Sequence, residues 1–133
     1  MQGVLIDTGV LLDYLQGNKQ AQMALDGHAH RSISVVTWLE VMRRCPAHLV
    51  DATEGFLRTF ERLSISEGVA DEALNLIVDR PTLPENFALT WASARVNHLT
   101  FLTAESTFVQ RGDEGVLMAY KRRPLLVEFK SQP

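Results

Sequence analysis

A chain of 133 residues is long enough for one domain with a sizeable core and too short for two. Its 46% apolar and 22% charged residues are those of a globular domain, which excludes a disordered, collagen-like or coiled-coil chain. The single Cys45 excludes an internal disulfide, and 13 Lys and Arg against 16 Asp and Glu leave a net charge of −3, too acidic to hold nucleic acid by bulk attraction. No apolar run approaches the length of a bilayer span, so no membrane association is expected. The opening MQGVLID carries neither a basic leader nor a cleavage site, and a cytoplasmic protein is expected.

In chain order, Val4-Leu5-Ile6 reads as a buried strand and Thr8 to Gln16 as a helix with apolar Val10, Leu11, Tyr14 and Leu15. Gly17-Asn18 breaks that helix, and Asn18 is placed to cap a short second one from Lys19 to Leu25. Arg31 to Ser34 predicts a strand and Val35 to Arg44 a helix that ends before Pro46. Asp51 to Glu61 has the pattern of an amphipathic helix, followed by a strand from Arg62 to Ile65. Glu67 and Asp71 favour a helix start there, running to about Val78. A loop over residues 80–84 precedes a helix from Glu85 to Asn97, a strand at Thr100-Phe101-Leu102, and a last strand at Leu125 to Phe129. Strands alternating with helices predict one α/β domain over residues 1–133, its mostly parallel sheet covered on both faces.

Three acids stand out. Asp7 follows the first strand, where open α/β sheets place their ligand sites; the alternative is that Asp7 or Thr8 only caps the next helix. Glu40 lies in the apolar stretch Val35 to Met42, where an ionised carboxylate is costly unless a cation or hydrogen bonds compensate it. An ion pair with Arg43 or Arg44, or a wet helix face, is the plain alternative. Ser34 would cap this helix, and Thr37 shares a face with Glu40. Glu105 follows the strand at Thr100 as Asp7 follows the first, and is otherwise a loop acid. Acids gathered at the ends of one sheet suit a hard divalent cation, Mg²⁺ or Mn²⁺. Zinc-ligand spacing, phosphate-cradling glycine loops and serine nucleophile elbows are all absent.

In this order, these pieces resemble the PIN-domain ribonucleases, especially the VapC-type toxins of prokaryotic toxin–antitoxin pairs. Val4 to Leu15, with its Ile6-Asp7-Thr8, is similar to the opening strand and helix of that family; Ser34 to Glu40 is similar to its second motif, and Leu99 to Phe108 to its late strand and acid. Gly9 stands where the family has Asn, Glu105 where Asp is commoner, and Thr107 where a second acid often occurs. The third acidic position falls on Glu85 or Asn86, and the sequence leaves the two open.

The resemblance implies a three-layer α/β/α sandwich and a metal-dependent endoribonuclease. Asp7, Glu40 and Glu105 would act at the catalytic centre and hold Mg²⁺ or Mn²⁺, with Glu85 or Asn86 as a further ligand and Thr8, Thr37 and Thr103 orienting them from behind. Arg43, Arg44, Arg122 and Arg123 are the candidate contacts to an RNA substrate, the last two standing equally well as a solvated turn. An antitoxin protein and a second copy of the chain, forming a homo-oligomer (dimer), are the expected partners. The competing reading is a degenerate PIN-like protein that binds RNA or a protein without efficient cleavage.

Overall fold

The computed structural model describes residues 3–121. Strand β1 (Val4–Ile6) is buried on both sides, which is why it reads as an unbroken apolar run rather than an alternating one. It leads into α1 (Thr8–Leu15), then α2 (Lys19–Asp26), β2 (Arg31–Ser34) and α3 (Val35–Arg44). A single 3₁₀ turn, Ala47–Leu49, precedes α4 (Val50–Leu57) and β3 (Glu61–Leu63). Then come α5 (Glu67–Asp79), α6 (Glu85–Val96), β4 (Thr100–Thr103) and β5 (Val116–Met118).

Among the described residues all four strand pairings are parallel, in the order β3-β2-β1-β4-β5. Successive strand residues face opposite layers. Val4, Ile6 and Leu102 pack with Val10, Leu11, Leu25, Val41 and Leu57 from α1 to α4. Leu5 and Phe101 instead meet Val69, Leu76, Phe87 and Trp91 from α5 and α6. The architecture is the expected α/β/α sandwich. Three helix starts are capped as their sequences imply: Asn18 accepts from the Ala21 N–H (2.9 Å), Ser34 from Thr37 (3.1 Å) and Ser66 from Val69 (3.2 Å).

The differences from expectation lie at element ends. Helix α4 stops at Leu57 rather than Glu61, because the chain turns at Arg58–Phe60 to bury the Phe60 ring before β3 begins. Strand β5 was not expected. It starts after Gly115, whose φ of +73° suits a residue without Cβ, and the Gly115 carbonyl receives the Phe101 N–H (2.8 Å). The strand expected over Leu125 to Phe129 lies outside the described residues, as do Arg122 and Arg123. No described helix is long and apolar enough to cross a membrane.

The strand order positions the site. From β1 the chain winds outward through β2 and β3, then returns to lay β4 on the other side of β1. That reversal opens a crevice above the carboxyl ends of β1 and β4, where parallel sheets receive ligands. Asp7 is the residue after β1, and Glu105 lies just beyond β4.

Candidate functional site

Asp7 occupies the N-cap position of α1, yet its side chain makes no cap hydrogen bond. Its Oδ2 accepts instead from the Thr103 hydroxyl at the end of β4 (2.8 Å). Asp7 is only 6% exposed. Its pKa is raised from 3.8 to about 6, chiefly by burial; bonds from Thr103 and the Thr8 amide work against the rise, and the charges of Glu40 and Glu105 add to it. The capping alternative is therefore not what the geometry displays. The Thr103 hydroxyl also receives the Glu105 N–H (3.0 Å), so one side chain orders two of the acids. Glu105 is further oriented by the Thr107 N–H, which donates to its Oε1 (3.0 Å).

Glu40 is held from two sides. Thr8 Oγ1 donates to its Oε1 (2.7 Å), and the Asn86 Nδ2 at the start of α6 donates to its Oε2. With its proton spent on Glu40, Thr8 accepts from Thr37 Oγ1 (2.9 Å). Among the described residues no guanidinium bonds this carboxylate; Arg44 donates to the Glu40 main-chain carbonyl (3.1 Å). An ion pair with either arginine is thus not what compensates Glu40.

Asp7, Thr8, Glu40, Asn86, Glu105 and Arg44 line one cleft of about 190 Å³, closed on its apolar side by Leu12, Phe87 and Phe108. Thr37 and Thr103 stand behind it, each bonded to a lining residue. Glu85 and Arg43 do not line it; both are exposed, Glu85 in the first turn of α6. Of the two candidates for the third position, Asn86 is the one at the cleft. Thr90, which also lines it, escaped the sequence reading, although it stands one helical turn beyond Asn86 on the inward face.

The lining donors are oxygen-rich, the chemistry of a hard cation, and Asp7 is a carboxyl raised chiefly by burial and further by its acidic neighbours, a cost that a bound cation would relieve. Among the described residues no three Asp, Glu, His or Cys side chains are drawn close enough to form a ready-made metal cage. The fit is thus to an ion that keeps part of its water shell, as Mg²⁺ ordinarily does.

No protein-family model matches the chain, and no curated protein does. Solved structures do. A chain of a toxin–antitoxin complex from Klebsiella pneumoniae is 29% identical, with a TM-score of 0.83, covering 90% of this chain and 99% of that one. FitAcB from Neisseria gonorrhoeae is 19% identical (TM-score 0.65; 77% and 88% covered). VapBC2 from Rickettsia felis, bound to a DNA fragment from its promoter, is 14% identical (TM-score 0.68; 79% and 89% covered). The fold is that of a VapC-like PIN toxin.

Proposed function

We propose that this protein is a metal-dependent endoribonuclease, the toxin of a cytoplasmic toxin–antitoxin pair, acting in the cleft above β1 and β4. The observation that carries the reading is Asp7: a carboxyl buried at the end of the central strand, beside two further acids, with no cationic side chain bonded to it among the described residues. Structures of toxin–antitoxin complexes with the same fold support the class and make an antitoxin protein the proposed partner; a second copy of the chain is a further proposed partner that rests on the family resemblance alone.

In this reading Asp7, Glu40 and Glu105 hold Mg²⁺ or Mn²⁺, directly or through water. A divalent ion held there would supply a water of lowered pKa and offset the charge gathering on the scissile phosphate. The protein's own part is positional. Thr103 holds Asp7 and the Glu105 amide in register, and Thr8 and Asn86 fix Glu40. Phe87 and Phe108 shield one wall from water, and Arg44 brings a positive charge to the cleft for a phosphate of the RNA.

A divalent-ion titration of RNA cleavage, using structured RNAs and Asp7→Asn as the control, tests the reading. The expected result is cleavage that appears with Mn²⁺ or Mg²⁺ and is lost in the variant. Cleavage that persists without divalent ions, or in Asp7→Asn, would sink it. The neutral Asn86 beside Glu40 favours a second reading, RNA or protein binding without cutting. Tight RNA binding with no product at saturating Mn²⁺ would establish that one instead.

A further inference from the structure

The polar side chains behind Glu40 form a chain whose proton directions can be assigned. Thr90 Oγ1 donates to the Asn86 carbonyl (3.0 Å), so it accepts from Ser34 Oγ (3.2 Å). Ser34 in turn accepts the Thr37 N–H (3.1 Å), and its 3.4 Å approach to the Thr37 hydroxyl is the weaker of its two options. The Thr37 hydroxyl is thereby free to donate to Thr8, and Thr8 donates to Glu40. Ser34, Thr37 and Thr90 are each at most 1% exposed, so water does not compete for these bonds. The circuit runs from α1 through the start of α3 to α6, and Asn86 closes it on the second oxygen of Glu40.

Asn86 is therefore fixed at both ends. Its carbonyl is bound by Thr90, and its side-chain amide cannot be turned over without setting Oδ1 against a carboxylate oxygen. The group it presents to Glu40 is an N–H donor, which cannot ligate a cation. We propose that Asn86 is a positioning residue that clamps Glu40 and limits the cleft to a single divalent ion. It sets a hydrogen-bond donor, rather than a further carboxylate, beside Glu40, so the acids lining the cleft are Asp7, Glu40 and Glu105 alone among the described residues. The proposal rests on the cation-binding reading above and names what sets the capacity of that site.

Counting bound Mn²⁺ by the electron paramagnetic resonance of the free ion, without RNA, tests the stoichiometry. Wild type is expected to bind one Mn²⁺ per chain. Asn86→Ala should bind one, with affinity lower by about tenfold, as when an orienting partner of a ligand is removed. Asn86→Asp should bind two, and metal-free it should melt below wild type, because a carboxylate then faces Glu40. The clamp itself is read without metal in a double-mutant cycle. Asn86→Ala should lower Tm by roughly 3–5 °C, and this loss should vanish once Glu40→Ala is present.

Two ions in wild type, no ion in wild type, one ion in Asn86→Asp, or additive melting losses would each overturn the proposal. The two readings separate cleanly. One Mn²⁺ per wild-type chain with no RNA cleavage removes the nuclease and leaves the clamp. Two with metal-dependent cleavage removes the clamp and leaves the nuclease.

Discussion

The segment that follows β4 carries an acid at each end, and the two sit in opposite electrostatic surroundings. At its far end Asp113 receives two bonds from the Arg80 guanidinium, one of them 2.9 Å long, and the Gln110 N–H (2.7 Å). Arg80 also donates to the Phe108 carbonyl (3.1 Å) and lies over the Trp91 ring, 5.0 Å from its centroid. At its near end Glu105 shares a cleft with Asp7 and Glu40, whose bonded donors are hydroxyls and amides. Asp113 is held below the usual carboxylate range by Arg80, while Asp7 is pushed up to about 6. The satisfied cluster is a fastening, which pins the back of the loop carrying Glu105 and Phe108. The other cluster gathers carboxylates without a bonded cation among the described residues, which is why the proposed chemistry is assigned there.

Removing the raised acid should have the largest effect on both activity and stability. Asp7→Asn is expected to abolish metal-dependent RNA cleavage. In metal-free buffer at pH 7 it should raise stability in urea by an amount on the order of 3 kcal/mol, the cost of ionising a carboxyl whose pKa lies about two units above its unfolded value. The sign follows from linkage. Between about pH 4 and pH 6 the folded protein holds the Asp7 proton more tightly than the unfolded chain does, so metal-free wild type loses stability as pH rises through that window. The difference between wild type and Asp7→Asn should grow across the same interval and then level off. A flat difference between pH 4 and pH 7 would show that Asp7 is not raised.

Thr103→Val should come next. It removes the donor to Asp7 and the acceptor of the Glu105 amide while keeping the shape, at a cost of about 1–3 kcal/mol for buried polar groups left unpaired. Thr103→Ser should restore most of both stability and cleavage. Urea melts and cleavage rates on the three proteins check this, and an inert Thr103→Val would mean that the acids are ordered by something else. At the fastened end, Asp113→Ala should cost less, about 1–2 kcal/mol, since Arg80 keeps partial contact with water and its stack on Trp91. Its pH dependence runs the other way. The stabilisation from Asp113 is present above its unfolded pKa and lost as pH falls below it, opposite in slope to Asp7.

Much of the fold was legible because parallel sheets bury their strands on both faces, so Val4 to Ile6 announces itself as a short apolar run, and Arg31 to Ser34 as the short stretch between two helical patterns. Caps at Asn18 and Ser34 were legible for an equally local reason. Strand β5 was not: three residues with an exposed Leu117 beside β4 carry too little pattern to announce a strand. At the site, the sequence singled out Asp7, Glu40 and Glu105 from position and from the cost of a carboxylate in apolar surroundings, and all three line one cleft. Choosing between Glu85 and Asn86 needed the helix phase, since neighbours in a helix point about 100° apart and a one-residue shift changes which faces Glu40. Arg80–Asp113 was missed because residues 33 apart in sequence leave no periodic trace of their pairing.

The smallest expected effect separates two neighbouring arginines. Arg43 and Arg44 are both exposed in the last turn of α3, but only Arg44 lines the cleft, where it is the one basic residue among those described. A phosphate contact is a counterion-release event, so its loss weakens RNA binding in proportion to the charge removed and flattens the salt dependence by roughly one unit of slope. Arg44→Ala should therefore weaken RNA binding by about tenfold at low salt and reduce that slope. Arg43→Ala, losing the same charge at the same helix end, should leave both within error once salt screens it beyond about 10 Å. Binding measured by fluorescence anisotropy on catalytically silent Asp7→Asn protein, across a salt series, keeps cleavage out of the readout. Equal losses for the two arginines would mean that RNA responds to the charge of the helix end as a whole. The uncompensated cluster would then owe nothing to the single cation beside it.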